Sequence, residues 1–241
     1  MAEYVVCTTT EMAKKPKNIS FAEAASIPLV GLTALQVLRA GGVKEGSKVF
    51  IPGGAGGVGS IAIQIAKKML KASHVTTTAS PGAGTDICTK VGADRIIDYR
   101  SEDVISVLEG EDFDMIFDTM NQASEFGGLI KKEGKIVSIS GTPTIEAIQS
   151  AMGPQSLLVR AFMFMSRNRS AEKAAKKAGA TWQYLFMSPN GKDLAKIASY
   201  VESGDIVPII DTEAASLDDF KVAVDKLFSG RAKGKCVIKV V

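Results

Sequence analysis

The residues best suited to chemistry in this chain are six in a row, Gly54-Ala55-Gly56-Gly57-Val58-Gly59, in which Gly54, Gly56 and Gly59 satisfy the spacing G-x-G-x-x-G. Glycine is required there by geometry: one makes a tight turn, one lets backbone N–H groups reach a diphosphate, and one lets a helix pack closely on a strand. The spacing by itself also occurs in ordinary glycine-rich turns. Here it follows the β-prone run Lys48-Val49-Phe50-Ile51 and opens the helical stretch Ser60 to Lys71, so the helix N-terminus would present free N–H groups and a positive dipole end to a diphosphate. Dinucleotide binding is the reading that this context supports.

In a dinucleotide site specific for NAD, an acid is expected about 20 residues further on, at the end of the second strand, to hold the ribose 2′-OH. The sequence there is Thr77-Thr78-Ala79-Ser80-Pro81-Gly82, with no acid before Asp86, which leaves room for a 2′-phosphate.

The elements that must position this loop are read from periodicity. Short β-prone runs recur at Val75 to Thr78, Arg95 to Asp98, Met115 to Asp118 and Lys135 to Ser140, separated by helix-compatible stretches at Thr85 to Val91, Val104 to Leu108 and Gln122 to Ile130. Alternating strands and helices predict an α/β fold, a doubly wound parallel sheet of the Rossmann type. Beyond Gly141 the spacing predicts one helix over 154–178, an aromatic strand over Thr181 to Met187, and a helix from Asp193 to Ser203 stopped at Gly204. The tail reads as a strand at Val207 to Ile210, an amphipathic helix from Leu217 to Phe228 and a closing strand from Lys235 to Val241.

Composition narrows the function classes. A chain of 241 residues, 46% apolar and 23% charged, has the balance of an ordered globular protein. Its 29 basic and 26 acidic residues, net +3, do not form the electrostatic footprint of a nucleic-acid binder. No apolar run reaches membrane-spanning length, and the first residues lack the pattern of a signal peptide, so a cytoplasmic protein is expected, or an organellar one if a transit segment was removed. Three scattered cysteines, Cys7, Cys88 and Cys236, suit reduced thiols, and one histidine, His74, leaves too few ligands for a His/Cys zinc site.

Further segments carry a family resemblance: Phe21 to Pro28, Gly53 to Lys67, Val91-Gly92-Ala93-Asp94 to Tyr99, Phe117-Asp118-Thr119 and Gly234-Lys235. Together they resemble the medium-chain dehydrogenase/reductase superfamily, and within it the zinc-free, NADPH-dependent quinone oxidoreductases and alkenal/enone reductases, collinearly over essentially the whole chain. The resemblance implies a nucleotide domain over 26–206. Residues 1–25 and 207–241 would be remnants of a discontinuous, GroES-like, β-rich catalytic domain whose larger part lies upstream. It implies NADP(H) as cofactor and hydride transfer to a quinone or an enone or enal, with no metal. The alternative is a shortened, non-catalytic module that binds or senses NADP(H) or partners another subunit.

Residue by residue, Gly54, Gly56, Gly57, Val58 and Gly59 match the family's diphosphate loop. Ser80 and Tyr99 match positions at the adenosine 2′-phosphate, although a lysine common after that serine is replaced by Pro81-Gly82. Thr33, Asn121, Ser140 and Gly141 match positions bordering the nicotinamide, and Lys235 matches a basic group near the phosphates. The family's usual dimer implies a homodimer through the edge strand near Thr181 to Met187, where Trp182, Tyr184 and Phe186 alternate onto one face.

Several residues have plainer readings. Tyr99 suits packing at a strand end as well as a phosphate contact, and His74 precedes the second strand, away from the strand ends where ligands bind. Arg167, Arg169, Lys173, Lys176 and Lys177 suit a solvated helix face better than an anionic partner. Phe162, Met163, Phe164 and Met165 suit packing better than a substrate wall.

Overall fold

The computed structural model describes residues 2–160, 168–214 and 216–240. Phe162, Met163, Phe164, Met165 and Arg167 lie outside the described residues.

Six strands form one parallel sheet: β1 (Lys48–Ile51), β2 (His74–Ala79), β3 (Arg95–Asp98), β4 (Phe113–Asp118), β5 (Ile130–Ser138) and β6 (Thr181–Tyr184), in the order β3-β2-β1-β4-β5-β6. This is the doubly wound order, and it reverses direction between β1 and β4. The central strands β1 and β4 are mostly apolar and almost wholly buried because both of their faces are covered. In β1, Val49 and Ile51 face one side with α2 (Pro28–Ala40), α3 (Gly57–Gln64) and a C-terminal helix, while Phe50 faces the other with Phe113 and Phe126. Their rings stack at 5.5 Å and meet edge-on at 5.3 Å.

Between these strands lie α4 (Ala83–Lys90) and α5 (Val104–Val107); α6 (Ile145–Met152) and α7 (Arg169–Lys177) precede β6; α8 (Gly191–Glu202) follows it. A short α1 (Phe21–Ala25), closed by a capping box between Ser20 and Glu23, leads into α2. The tail forms a second, two-stranded parallel sheet, β7 (Ile210–Ala214) and β8 (Lys235–Ile238), covered by α9 (Phe220–Phe228). One parallel bridge, Gly56 to Gly234, joins the tail to the glycine turn.

Four local expectations need correction. The helix expected from Ser60 to Lys71 begins at Gly57 and passes into a wide turn over Ile65–Met69, closed by Leu70 N–H on Ile65 C=O, before Lys71 turns left-handed at φ 58. No α-helix forms over Gln122 to Ile130. The Asp118 carboxylate captures the N–H groups of Met120, Gln122 and Ala123, and a Cβ on Gly127 would press within 2.8 Å of the Ala174 carbonyl, leaving one 3₁₀ turn at Phe126–Gly128. The helix expected over 154–178 is not continuous: within the described residues 157–160 are helical, and Asn168, accepting from Ala171 N–H, caps a separate helix, α7. The first tail strand starts at Ile210 rather than Val207, since the Val207 N–H and C=O are both taken by the Gln64 side chain.

Because Phe50 is fully buried against two other rings, replacing it with alanine should lower unfolding free energy by about 3–5 kcal/mol. Urea denaturation followed by circular dichroism checks this; a loss below about 1 kcal/mol would contradict the packing described.

Candidate functional site

A parallel sheet brings all strand C-termini to one edge, and the crevice beside the β1/β4 reversal is where the site residues gather. The β1–α3 turn is the best-defined part. Gly53 is left-handed at φ 72, its N–H held by the Thr78 hydroxyl at 3.0 Å, and its carbonyl takes the Gly56 N–H at 3.0 Å. A Cβ on Gly59 would stand 2.8 Å from Gly54 Cα and nearer still to the Gly53 oxygen, so the helix can approach the strand only without one. A Cβ on Gly54 would come 2.9 Å from both Cys88 Sγ and Ile63 Cδ1. Burial pushes the Cys88 thiol up to about 12, so it serves as apolar filler beneath the loop.

Gly56, Gly57 and Val58 are half-exposed at the start of α3, and the first intrahelical bond runs from Ser60 N–H to Gly56 C=O. The amides of the first turn therefore point to the crevice, as an anion-binding helix start requires. Lys235 runs alongside: its Cδ is 2.8 Å from where a Gly57 Cβ would be. Backbone pairing of Gly234 with Gly56 fixes that lysine beside the loop although 178 positions separate Gly57 from Lys235.

Ser80 and Tyr99 each follow a paired residue, Ala79 and Asp98, at the ends of the neighbouring strands β2 and β3. Tyr99 is 53% exposed, so the structure does not use it as packing. Its backbone is held on both sides: Ser101 Oγ–H and Arg100 N–H donate to the Asp98 carboxylate and keep it below the usual carboxylate range, while Asp98 N–H donates to Glu102. The Ser80 hydroxyl lies over the first turn of α4, 2.9 Å from a Cβ on Gly84.

On the other side of the reversal, Asn121 and Gly141 meet. Asn121 is left-handed at φ 61 and Gly141 at φ 87, and a Cβ on Gly141 would fall 2.7 Å from Asn121 Cγ. Next to them Ser140 Oγ is buried with no hydrogen-bond partner among the described residues. Thr33, buried in α2, donates its hydroxyl to Leu29 C=O. The structure thus joins Asn121, Ser140 and Gly141 at the strand ends, while Thr33 is buried within α2. His74 sits at the opposite, N-terminal end of β2.

Three supporting residues escaped the sequence reading: Thr78, which holds Gly53; Thr119, whose hydroxyl donates to Pro52 C=O at 2.8 Å; and Asp118, which organises the loop before Asn121. A carboxylate and hydroxyls at strand ends were the available signal. The parts fit a dinucleotide: an open glycine cradle, a lysine stem beside it, polar groups at Ser80 and Tyr99 where β2 and β3 end, and the buried Ser140 hydroxyl, which has no partner among the described residues. Among the described residues no cluster of His, Cys, Asp or Glu could hold a metal ion, and no helix is long and apolar enough to cross a membrane.

Residues 91–238 match the family model described as zinc-binding dehydrogenase. The chain is 33% identical over 239 residues to a 2-methylene-furan-3-one reductase of Solanum lycopersicum, covering 99% of this chain and 52% of that protein. It is 30% identical over 239 residues to a chloroplastic NADPH-dependent alkenal/one oxidoreductase of Arabidopsis thaliana, again covering 99% and 52%. Among solved structures, a quinone oxidoreductase from Coxiella burnetii superposes with TM-score 0.75 at 30% identity, over 95% of this chain and 63% of that one. The chain therefore spans about half the length of the curated relatives it matches.

Since a Cβ on Gly59 collides with backbone, which cannot swing aside, Gly59→Ala should lower stability by more than about 1 kcal/mol. Thermal unfolding beside Gly46→Ala, a left-handed glycine with nothing within 4 Å, separates steric collision from φ strain. Equal losses in the two variants would contradict the collision.

Proposed function

As the chain belongs to the medium-chain dehydrogenase/reductase superfamily, in its branch of enone and quinone reductase-like proteins, we propose that it binds NADP(H) and transfers hydride to a quinone or an α,β-unsaturated carbonyl without zinc. The observation that carries this reading is the half-exposed turn Gly56-Gly57-Val58 with Lys235 fixed beside it by the Gly56–Gly234 bridge. Helix-start amides stand there beside the stem of a lysine, a pairing that suits a diphosphate.

From that anchor, Gly54 and Gly59 let strand and helix close, Gly57 and Val58 offer their amides, and Gly56, whose own N–H is held by the Gly53 carbonyl, leaves the approach to them open. Ser80 and Tyr99 would take the adenosine 2′-phosphate, for which the absence of an acid at the end of β2 leaves room. Asn121, Ser140, Gly141 and Thr33 would border the nicotinamide. When bound, the reduced nicotinamide supplies the hydride; the chain's own contribution is to fix where its reactive face lies and to keep an acceptor against it.

In this reading residues 26–206 are the nucleotide unit, and 1–25 with 207–241 belong to a discontinuous catalytic domain. Among the described residues β6 pairs only with β5, so its outer edge carries backbone groups that no described strand pairs. Pairing through Thr181 to Met187 with a second copy would satisfy them in a homodimer, which sedimentation analysis would detect.

The expected outcome is oxidation of NADPH in the presence of 9,10-phenanthrenequinone or an enal, and tighter binding of NADPH than of NADH. Tight binding with no turnover would assign a binding or sensing module instead, and preference for NADH would overturn the roles of Ser80 and Tyr99. Gly56 has φ −75 and ψ 171, open to an L side chain, so Gly56→Val should fold; it should lose NADPH affinity by about a hundredfold, on the order of 3 kcal/mol. Retained affinity would refute the diphosphate assignment.

A further inference from the structure

Asp118 is fully buried at the end of β4, beside the crevice, and four donors converge on its carboxylate. Oδ1 accepts from the N–H groups of Met120 at 3.1 Å and Gln122 at 3.0 Å; Oδ2 accepts from Ala123 N–H at 3.3 Å and from the Ser138 hydroxyl at 2.7 Å. Ser138, itself buried, accepts in turn from Trp182 Nε1–H at 2.9 Å. A chain of hydrogen bonds therefore runs from the edge strand β6, through β5, to the loop after β4. Among the described residues Asp118 has no ion pair, so these four hydrogen bonds are what hold the carboxylate in place. An asparagine could accept at only one of the two oxygens.

The residue enclosed by this arrangement is Asn121. The amides before and after it, those of Met120 and Gln122, are bound to the same oxygen, and its own backbone is held at φ 61, a conformation that costs energy for a residue with a side chain. That conformation seats the Asn121 side chain over Gly141, next to the buried Ser140 hydroxyl.

We propose that Asp118 is a positioning residue for the nicotinamide half of the cofactor: it clamps the 120–123 loop so that Asn121 stays over Gly141, and through Ser138 it ties that loop to Trp182 on the edge strand. The inference rests on the reading above that Asn121, Ser140 and Gly141 border the nicotinamide. It adds that the determinant of their geometry is a carboxylate that touches no ligand. The adenosine end, held by other strands, should be independent of it.

The test uses the whole chain with Asp118→Asn, which removes an acceptor from Ala123 and Ser138 at nearly constant shape, and Ser138→Ala, which cuts the link to Trp182 and removes one of the four donors to Asp118. Affinities are measured by calorimetry for NADP⁺ and for adenosine 2′,5′-bisphosphate, which lacks the nicotinamide. Asp118→Asn should weaken NADP⁺ by about tenfold, what one hydrogen bond to a charged group is worth, and leave the bisphosphate within about twofold. Ser138→Ala should shift NADP⁺ in the same direction by a smaller factor, so the inference stays testable should Asp118→Asn not fold. Trp182 is the sole tryptophan, so its emission should change on saturation with NADP⁺ in the parent chain, and not in Ser138→Ala. A purely structural role would weaken both ligands alike or neither, and either result overturns the inference while leaving the cofactor reading intact. A parent chain that binds neither ligand overturns the cofactor reading, and this inference with it.

Discussion

The rest of the structure depends on how closely the backbone of α3 approaches the end of β1. Gly59 lies against Gly53 and Gly54 with no room for a single carbon between them, and that contact sets the direction in which α3 leaves the sheet. With α3 so placed, its buried residues Ile61, Ala62 and Ile63 close the core with α2 and α8. Its first-turn amides are left at the open edge rather than buried. One loop thus satisfies a packing requirement through Gly53, Gly54 and Gly59 and an electrostatic one through the amides that start α3. Cys88 shows how tight the arrangement is: its thiol sits directly beneath Gly54, in surroundings apolar enough to keep it protonated.

The remaining site groups come from ends of different strands and owe their places to polar groups buried just behind them. Thr78 holds Gly53, Thr119 holds Pro52, and Asp118 holds the loop that carries Asn121. Buried polar groups are costly unless satisfied, and these are satisfied by the backbone of the turns they shape, so fold and site share the same bonds. Ser140 is the exception among them, with a buried hydroxyl beside the crevice that has no partner among the described residues.

Strands were the most legible elements because each contains a run of β-branched, aromatic or other β-prone residues set off from the helical stretches around it. β1 to β5 fall where the alternating pattern places them, and the strand order follows the rule for such folds. Elements governed by long-range contacts were less legible. α2 was missed because its face toward the sheet and its face toward α3 are both apolar, which hides the helical period; Pro28 at its first turn was the available signal. The stretch after β4 has helix-compatible residues, yet a carboxylate behind it captures the amides that a helix would need. α6, capped by Thr144, was also missed, and the separate cap at Asn168 was hidden within a run of helical spacing.

The sequence by itself determined the glycine turn, the parallel α/β alternation, the missing acid at the end of β2 and the family resemblance, since each is a property of neighbouring residues or of fixed spacing. Only the tertiary structure decided that Lys235 stands beside Gly57, that Asn121 lies over Gly141, and that Trp182 reaches Asp118 through Ser138. The physical reason is that these contacts join residues tens to almost two hundred positions apart through strand pairing and buried hydrogen bonds. Such partners are fixed by the register of the folded sheet, which local propensity does not encode.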